Sequence, residues 1–222
     1  MLVSSRKDFI YLLFIWFILA LLILLFVVPF WWMLITSLKT GEEVYTKPYS
    51  LWLKNPRWSN YKQVFSALPF LGYLLNTIKV TAFVCLGTLI TSSMAAFAFS
   101  RLQFPGRDSI FFLYLATLMV PKQVILIPDF ILFKWMGLLD NHLALIFTGI
   151  FTAYGTFLLR QFFLGIPKEL EEAATLDGYG PFRRFYHIII PLAKPALTTL
   201  FIMTVLNLWN EYLYALVFIQ SD

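Results

Sequence analysis

The chain has 222 residues, of which 60% are hydrophobic, 19% aromatic and only 13% charged. A soluble domain carries about 25% charge and roughly 45–50% apolar residues, so this composition excludes an ordinary water-soluble globule and points to a lipid solvent. The net charge of +5, from 17 basic and 12 acidic residues, is scattered among apolar runs, a pattern that fits cytoplasmic loops and anionic headgroups rather than a nucleic-acid surface. A single cysteine, Cys85, leaves no internal disulfide.

A membrane-crossing helix needs about 20 mainly apolar residues to cover roughly 30 Å of hydrocarbon. Residues 9–36 lie within an uncharged run between Asp8 and Lys39 and make the first expected span. Arg6 and Lys7 precede it as in a secretory signal, but the apolar core is too long and lacks a small-x-small cleavage site, so the span is retained. The segment 37–69 follows as an outer loop. Ser59 and Asn60 could cap a short helix there, with Trp58, Tyr61, Phe65 and Leu68 at helical spacing, either an interfacial anchor or a docking point for another protein. The second span is expected over 71–100. The third starts at Ser109, meets Pro121 and Lys122, and is expected to continue with a kink to Pro128. The fourth runs from Asn141 to about residue 160, and the fifth over 195–219.

These elements predict an all-α, polytopic helical membrane protein with five transmembrane helices in one domain, 1–222. Counting positive charges with the N-terminus inside puts Arg6, Lys7, Arg101, Arg107, Arg160, Lys168, Arg183, Arg184 and Lys194 in the cytoplasm. Lys39, Lys47, Lys54, Arg57, Lys62, Lys122 and Lys134 fall outside, as does Asp222. The very short turn 101–108 carries the most weight in that assignment.

The loop 163–193 interrupts this apolar chain with "EEAATLDGYGPFRRFYHIIIPL". Pro167 and the acids Glu169, Glu171 and Glu172 suit the start of a helix, and Gly178 suits its end. The helix over 167–178 is too short and polar to span the bilayer. Its small residues let another protein's surface approach the backbone, so it reads as a docking element on the cytoplasmic face.

In the fifth span Asn207, Asn210, Glu211 and Tyr214 fall at i, i+3, i+4 and i+7, one face of a helix. Facing lipid would be costly, so the stripe is expected to line a wet pathway or to pack against another membrane subunit. Asn76 and Lys79 lie one turn apart in the outer part of the second span. Asn76 is a further pathway candidate, while Lys79 either contacts an anionic substrate or snorkels to the headgroups. His142 and His187 are read as isolated interfacial histidines and Cys85 as a small core residue.

The run Glu172-Ala173-Ala174, Asp177-Gly178, Phe185, Ile188-Ile189-Ile190, Pro191-Leu192 resembles the signature loop of permease subunits in bacterial ABC importers. The flanking "GTFLLRQFFLGIPKEL" and "NLWNEYLYAL" look like the carbohydrate branch, the maltose-type and glycerol-phosphate-type permeases. The resemblance runs from about residue 9 to the end and is dense from Pro121. It implies that 167–178 is a coupling helix seated in an ATP-binding subunit, with Glu172, Ala173, Ala174, Asp177 and Gly178 matching the motif. It further implies a second permease subunit, two ATP-binding cassette subunits and an extracellular substrate-binding protein as partners, and a place among the lipids of the bacterial inner membrane. Members of that family usually carry a sixth span after the "NEYLYAL" helix, so the resemblance also implies a chain truncated at its C-terminus.

There is no Walker-type glycine loop, so ATP is expected in partner subunits and no cofactor, metal or catalytic residue in this chain. The function expected is that of a permease for a sugar or oligosaccharide, with a glycerol-3-phosphate-type importer as the near alternative. An ion-coupled secondary transporter would need repeats around ion sites, and none is visible in the sequence. An intramembrane hydrolase would need a Ser-His, metal or paired-acid site within the spans, which is equally lacking.

Overall fold

A computed structural model describes residues 6–45, 50–53 and 55–220, and among these every regular element is a helix. The outer placement of Lys47, Lys54 and Asp222 lies outside the described residues. Two compact units divide the chain, residues 1–72 and 73–222.

In the first unit α1 (Arg6–Ser37) is a 32-residue helix with Pro29 inside it. Its 29 residues from Phe9 are long and apolar enough to cross a bilayer, and its side chains are exposed almost throughout, as hydrocarbon requires of a lipid-facing helix. A five-residue helix, α2 (Gly41–Tyr45), and α3 (Ser59–Ala67) follow. Neither Ser59 nor Asn60 caps α3, whose first residue follows Trp58 with no side-chain cap. The Asn60 amide instead donates to the carbonyls of Ser37 (3.0 Å) and Lys39 (2.9 Å), satisfying backbone groups left free where α1 ends. Trp58 stacks on Tyr61, and α3 buries none of its residues.

The second unit begins on α4 (Phe70–Arg101), 32 residues with no break, matching the expected second span. The third expected span is broken. α5 (Arg107–Ala116) ends in a 3-10 turn, and α6 (Lys122–Trp135) leaves at 98° to it. The expected kink is therefore a right-angled turn at Pro121, and Pro128 sits inside α6, which runs on to Trp135. The fourth span is α7 (His142–Gly149) followed by α8 (Ala153–Leu164), interrupted at 150–152. Next come α9 (Glu169–Leu176), α10 (Pro181–Arg184), a π-turn over Phe185–Ile189, and α11 (Ile190–Leu192). A 76° bend leads into α12 (Lys194–Trp209), and α13 (Leu213–Phe218) closes the described chain. Three of the helical stretches are long and apolar enough to cross a bilayer, and the total reaches five if each of the two bent pairs is one span.

α4 grips the break in the fourth span. A free backbone carbonyl in hydrocarbon costs several kcal/mol, about the value of a lost hydrogen bond in an apolar medium. Thr88 Oγ1 donates to the Gly149 carbonyl (3.1 Å) and Thr91 Oγ1 to that of Ile150 (2.6 Å). Glycines allow the approach: a Cβ on Gly87 would lie 2.4 Å from Ile150 Cγ2, and one on Gly149 2.5 Å from Val84 Cγ1. Small residues at crossing helices let backbones meet, which is how membrane helices pack without a hydrophobic drive.

Two apolar clusters fill the ends of this unit. At one end Phe97, Leu159, Phe163, Phe185, Ile189 and Leu200 knit α4, α8, the π-turn and α12 together. At the other, Phe133, Ala144, Tyr214 and Phe218 join α6, α7 and α13.

Candidate functional site: an exposed loop and a cavity at opposite ends

At the end held by the first cluster lies the loop with α9, eight residues and about 12 Å long at 1.5 Å per residue, shorter than the expected helix over 167–178. Pro167 precedes the helix rather than entering its first turn. Its C-terminus forms a Schellman motif: Gly178 N–H donates to Thr175 O (3.0 Å) and Tyr179 N–H to Ala174 O (2.9 Å), with Gly178 at φ +83°. Glu172, Ala173, Asp177 and Gly178 are exposed while Ala174 is buried, so most of the motif faces outward.

The acid that holds this loop in place is Glu171, which the motif does not include. Its carboxylate lies 2.8 Å from Arg101 Nε, with both side chains almost fully buried. The contact is an ion pair without the alignment of a hydrogen bond. Arg101 Nη2 also donates to the carbonyls of Phe163 and Ile166, each at 2.7 Å, closing the frayed end of α8. Only the presence of a lone arginine at the end of a charge-free span hinted at this in the sequence. Arg160 adds a second clasp, donating to Phe99 O (3.1 Å), lying over the Phe111 ring (4.2 Å) and approaching Asp108 (3.7 Å). The turn at 101–108 and the α9 loop therefore share one end of the unit, as the positive-charge count required of residues on one side of the membrane.

At the opposite end a cavity of about 870 Å³ opens between α4, α6, α7 and the α12–α13 break. Its polar lining includes Asn76, Thr77, Lys122, Asp129, His142, Thr148 and Glu211, with Tyr73, Tyr212 and Tyr214 as aromatic walls. That volume is within the range of small-molecule sites, about 300–1,000 Å³.

The expected polar stripe does not survive as one face. The helix breaks after Trp209, so Asn210, Glu211 and Tyr212 are not helical. Asn207 and Asn210 turn their amides back onto Met203 O and Leu206 O, both at 2.7 Å, and neither lines the cavity. Residues 207 and 210 therefore part from 211 and 214, because the break reorients everything beyond it. Glu211 Oε1 accepts from Tyr214 N–H (3.2 Å) in the first turn of α13. The Tyr214 hydroxyl has one proton for two acceptors, Lys122 O at 3.2 Å and Asp129 Oδ2 at 3.4 Å. Asn76 lines the cavity. Asp129 and His142 are functional candidates that periodicity overlooked, the first because it sits alone in an apolar helix, the second because it had been assigned to the interface. Lys79 is exposed and outside the lining, in keeping with snorkelling. His187 is exposed with its ring edge-on to Tyr179, and Cys85 is buried. Among the described residues no group of three His, Cys, Asp or Glu could hold a metal ion.

A helical membrane unit with an exposed small-residue helix at one end and, at the other, a largely apolar cavity carrying several polar groups fits a transport permease. Residues 87–222 match the family described as "Binding-protein-dependent transport system inner membrane component", and the chain belongs to that family. It is 33% identical over 213 residues to a probable ABC transporter permease protein, YurM, of Bacillus subtilis (strain 168), covering 94% of this chain and 69% of YurM. It is also 33% identical over 202 residues to the diacetylchitobiose uptake system permease protein NgcG of Streptomyces coelicolor, covering 87% of this chain and 66% of NgcG. Among solved structures, a bacterial ABC transporter involved in the import of the acidic polysaccharide alginate has a chain that superposes on this one. The TM-score is 0.87 at 28% identity, covering all of this chain and 78% of that one. The chain spans about two thirds of the length of the curated relatives it matches. It is thus an ABC transporter permease subunit with the helical fold of an importer.

Proposed function

We propose that the chain lines the uptake path of a sugar or oligosaccharide in the bacterial inner membrane, driven by ATP that partner subunits bind and hydrolyse. The observation that carries this is the two-ended build of the unit, an exposed helix with small residues at the basic end and, at the other, an apolar-walled cavity studded with polar and tyrosine side chains. In this reading α9 docks into an ATP-binding cassette subunit through the exposed Glu172, Ala173, Asp177 and Gly178, while Ala174 packs inward and seats the helix on its own chain. Two such subunits, a second permease and an extracellular substrate-binding protein complete the importer. The α9 end faces the cytoplasm.

The cavity chemistry supports a hydroxyl-rich substrate. Asp129 and Glu211 accept hydrogen bonds from hydroxyls, Asn76 both donates and accepts, and the tyrosine rings can stack on a sugar's apolar face. The lining sets two carboxylates, Asp129 and Glu211, against one lysine, Lys122, a balance that favours a neutral substrate over a phosphate, and Lys79, the residue that favoured a glycerol-phosphate substrate, stands outside it. Asn207 and Asn210 fit the alternative role of packing against the second permease.

Reconstitution in liposomes with the partner subunits tests the proposal. Uptake of a disaccharide such as diacetylchitobiose or maltose should require ATP on the cytoplasmic side and the loaded binding protein. Uptake driven by an imposed ion gradient without ATP would overturn it in favour of secondary transport.

A further inference from the structure

We propose that Arg101 is a positioning residue through which movement of α9 reaches the cavity, with α4 as the lever. This rests on the importer reading above. The loop and the cavity are at opposite ends of the 73–222 unit, and four helical routes connect them. Three are interrupted: α5 to α6 turns by 98°, α7 to α8 breaks at 150–152, and the chain from α12 to α13 breaks at 210–212. Among the described residues of this unit α4 alone runs unbroken, about 48 Å at 1.5 Å per residue over its 32 residues. Its final residue is Arg101, and Tyr73, Asn76, Thr77 and Thr81 near its start line the cavity.

The clasp at Arg101 suits transmission of movement. The guanidinium is a planar fork of five donors. Here it takes the Phe163 and Ile166 carbonyls at 2.7 Å and faces the Glu171 carboxylate at 2.8 Å, so one side chain fixes the end of α8, the start of α9 and the end of α4 relative to one another. Burial keeps water from competing for any of the three contacts. A displaced α9 therefore carries Arg101 with it. Along its length α4 also holds the carbonyls of Gly149 and Ile150 through Thr88 and Thr91, so the same displacement is felt at the break in the fourth span. Lysine in place of Arg101 keeps the charge but offers no fork and cannot hold three partners at once.

The test uses the assembled complex with Cys85→Ala and a reporter, Thr77→Cys, in the cavity. The rate at which a membrane-impermeant maleimide labels residue 77 is compared without nucleotide and with vanadate-trapped ATP. In the parent complex the two rates should differ by about fivefold or more, the usual range for coupled sites. Arg101→Lys and Glu171→Gln should retain bound ATPase subunits and basal ATP hydrolysis while the two rates converge. A role in folding alone would lower the yield of complex without altering the ratio in what assembles. Should either single variant fail to assemble, the double variant Arg101→Met with Glu171→Met removes both buried charges together and gives the same readout. A nucleotide-dependent ratio preserved in every assembled variant overturns the assignment, as does failure of all three to assemble, which would make the clasp a folding element only. An absent nucleotide effect in the parent complex would instead refute the importer reading itself.

Discussion

Gly178 offers the sharpest separation of backbone from partner effects. It occupies the left-handed position of the Schellman motif at φ +83°, and a Cβ there would meet no atom of this chain within 4 Å. A side chain at 178 is therefore opposed only by its own backbone strain and by whatever docks on α9. Left-handed geometry costs an L-residue about 1–2 kcal/mol, and asparagine bears it best after glycine. That cost makes the open form of the last turn of α9 about 5–30-fold more populated in Gly178→Val, with Gly178→Asn close to the parent. Hydrogen exchange at the α9 amides of the isolated chain reads the backbone term. Co-purification of the ATPase subunit and substrate-stimulated hydrolysis read docking. Gly178→Val should raise exchange and weaken docking. In Gly178→Asn exchange should stay low, so any docking loss there reports crowding by the partner. Gly178→Val with both bound ATPase and stimulated hydrolysis intact would refute the coupling role of this loop, and unchanged exchange would refute the strain argument.

Glu211→Gln should lower uptake about tenfold with the complex still assembled, since a charge-assisted contact becomes a neutral one. Asn207→Leu, whose amide is satisfied by Met203 O away from the cavity, should leave uptake within about twofold of the parent by the same reasoning; the reverse order would remove the cavity from the pathway. Thr91→Val strands the Ile150 carbonyl and should destabilise the chain by about 1–3 kcal/mol. That loss is read as a lower thermal midpoint in detergent, with Thr91→Ser near the parent; equal midpoints for valine and serine would show the carbonyl satisfied elsewhere. For topology, in a Cys85→Ala background, Leu176→Cys should resist an impermeant maleimide added to intact cells while Tyr212→Cys reacts. Both sites are well exposed in this chain, so the opposite pattern would invert the orientation.

Much of this protein follows from local sequence. A span announces itself by some twenty apolar residues in a row, so α1 and α4 matched their expected limits within a few residues. The α9 loop was legible for the converse reason, since acids, small residues and Gly178 in an apolar chain have few uses, and the left-handed Gly178 is a local event at a helix end. Periodicity failed where the chain breaks. The Asn207–Tyr214 stripe assumed one continuous helix, but the turn at 210–212 separates its halves, and only Glu211 and Tyr214 reach the cavity. Nothing in the sequence announced that turn, and Pro121 announced a kink but not its right angle, because such interruptions persist only where a neighbouring helix or a cavity satisfies the freed backbone. Partner choice was likewise invisible. Glu171 and Glu172 are adjacent acids in one helical turn, and composition cannot say which is buried. The answer depends on Arg101, seventy positions earlier in the chain, arriving at the same place because α4 packs against α8. Local chemistry thus determined which segments are apolar enough to enter the membrane and where α9 ends. The long-range pairings that make a cavity and a clasp came only with the packed fold, because a buried charge or a broken helix is tolerable solely where distant residues converge to satisfy it.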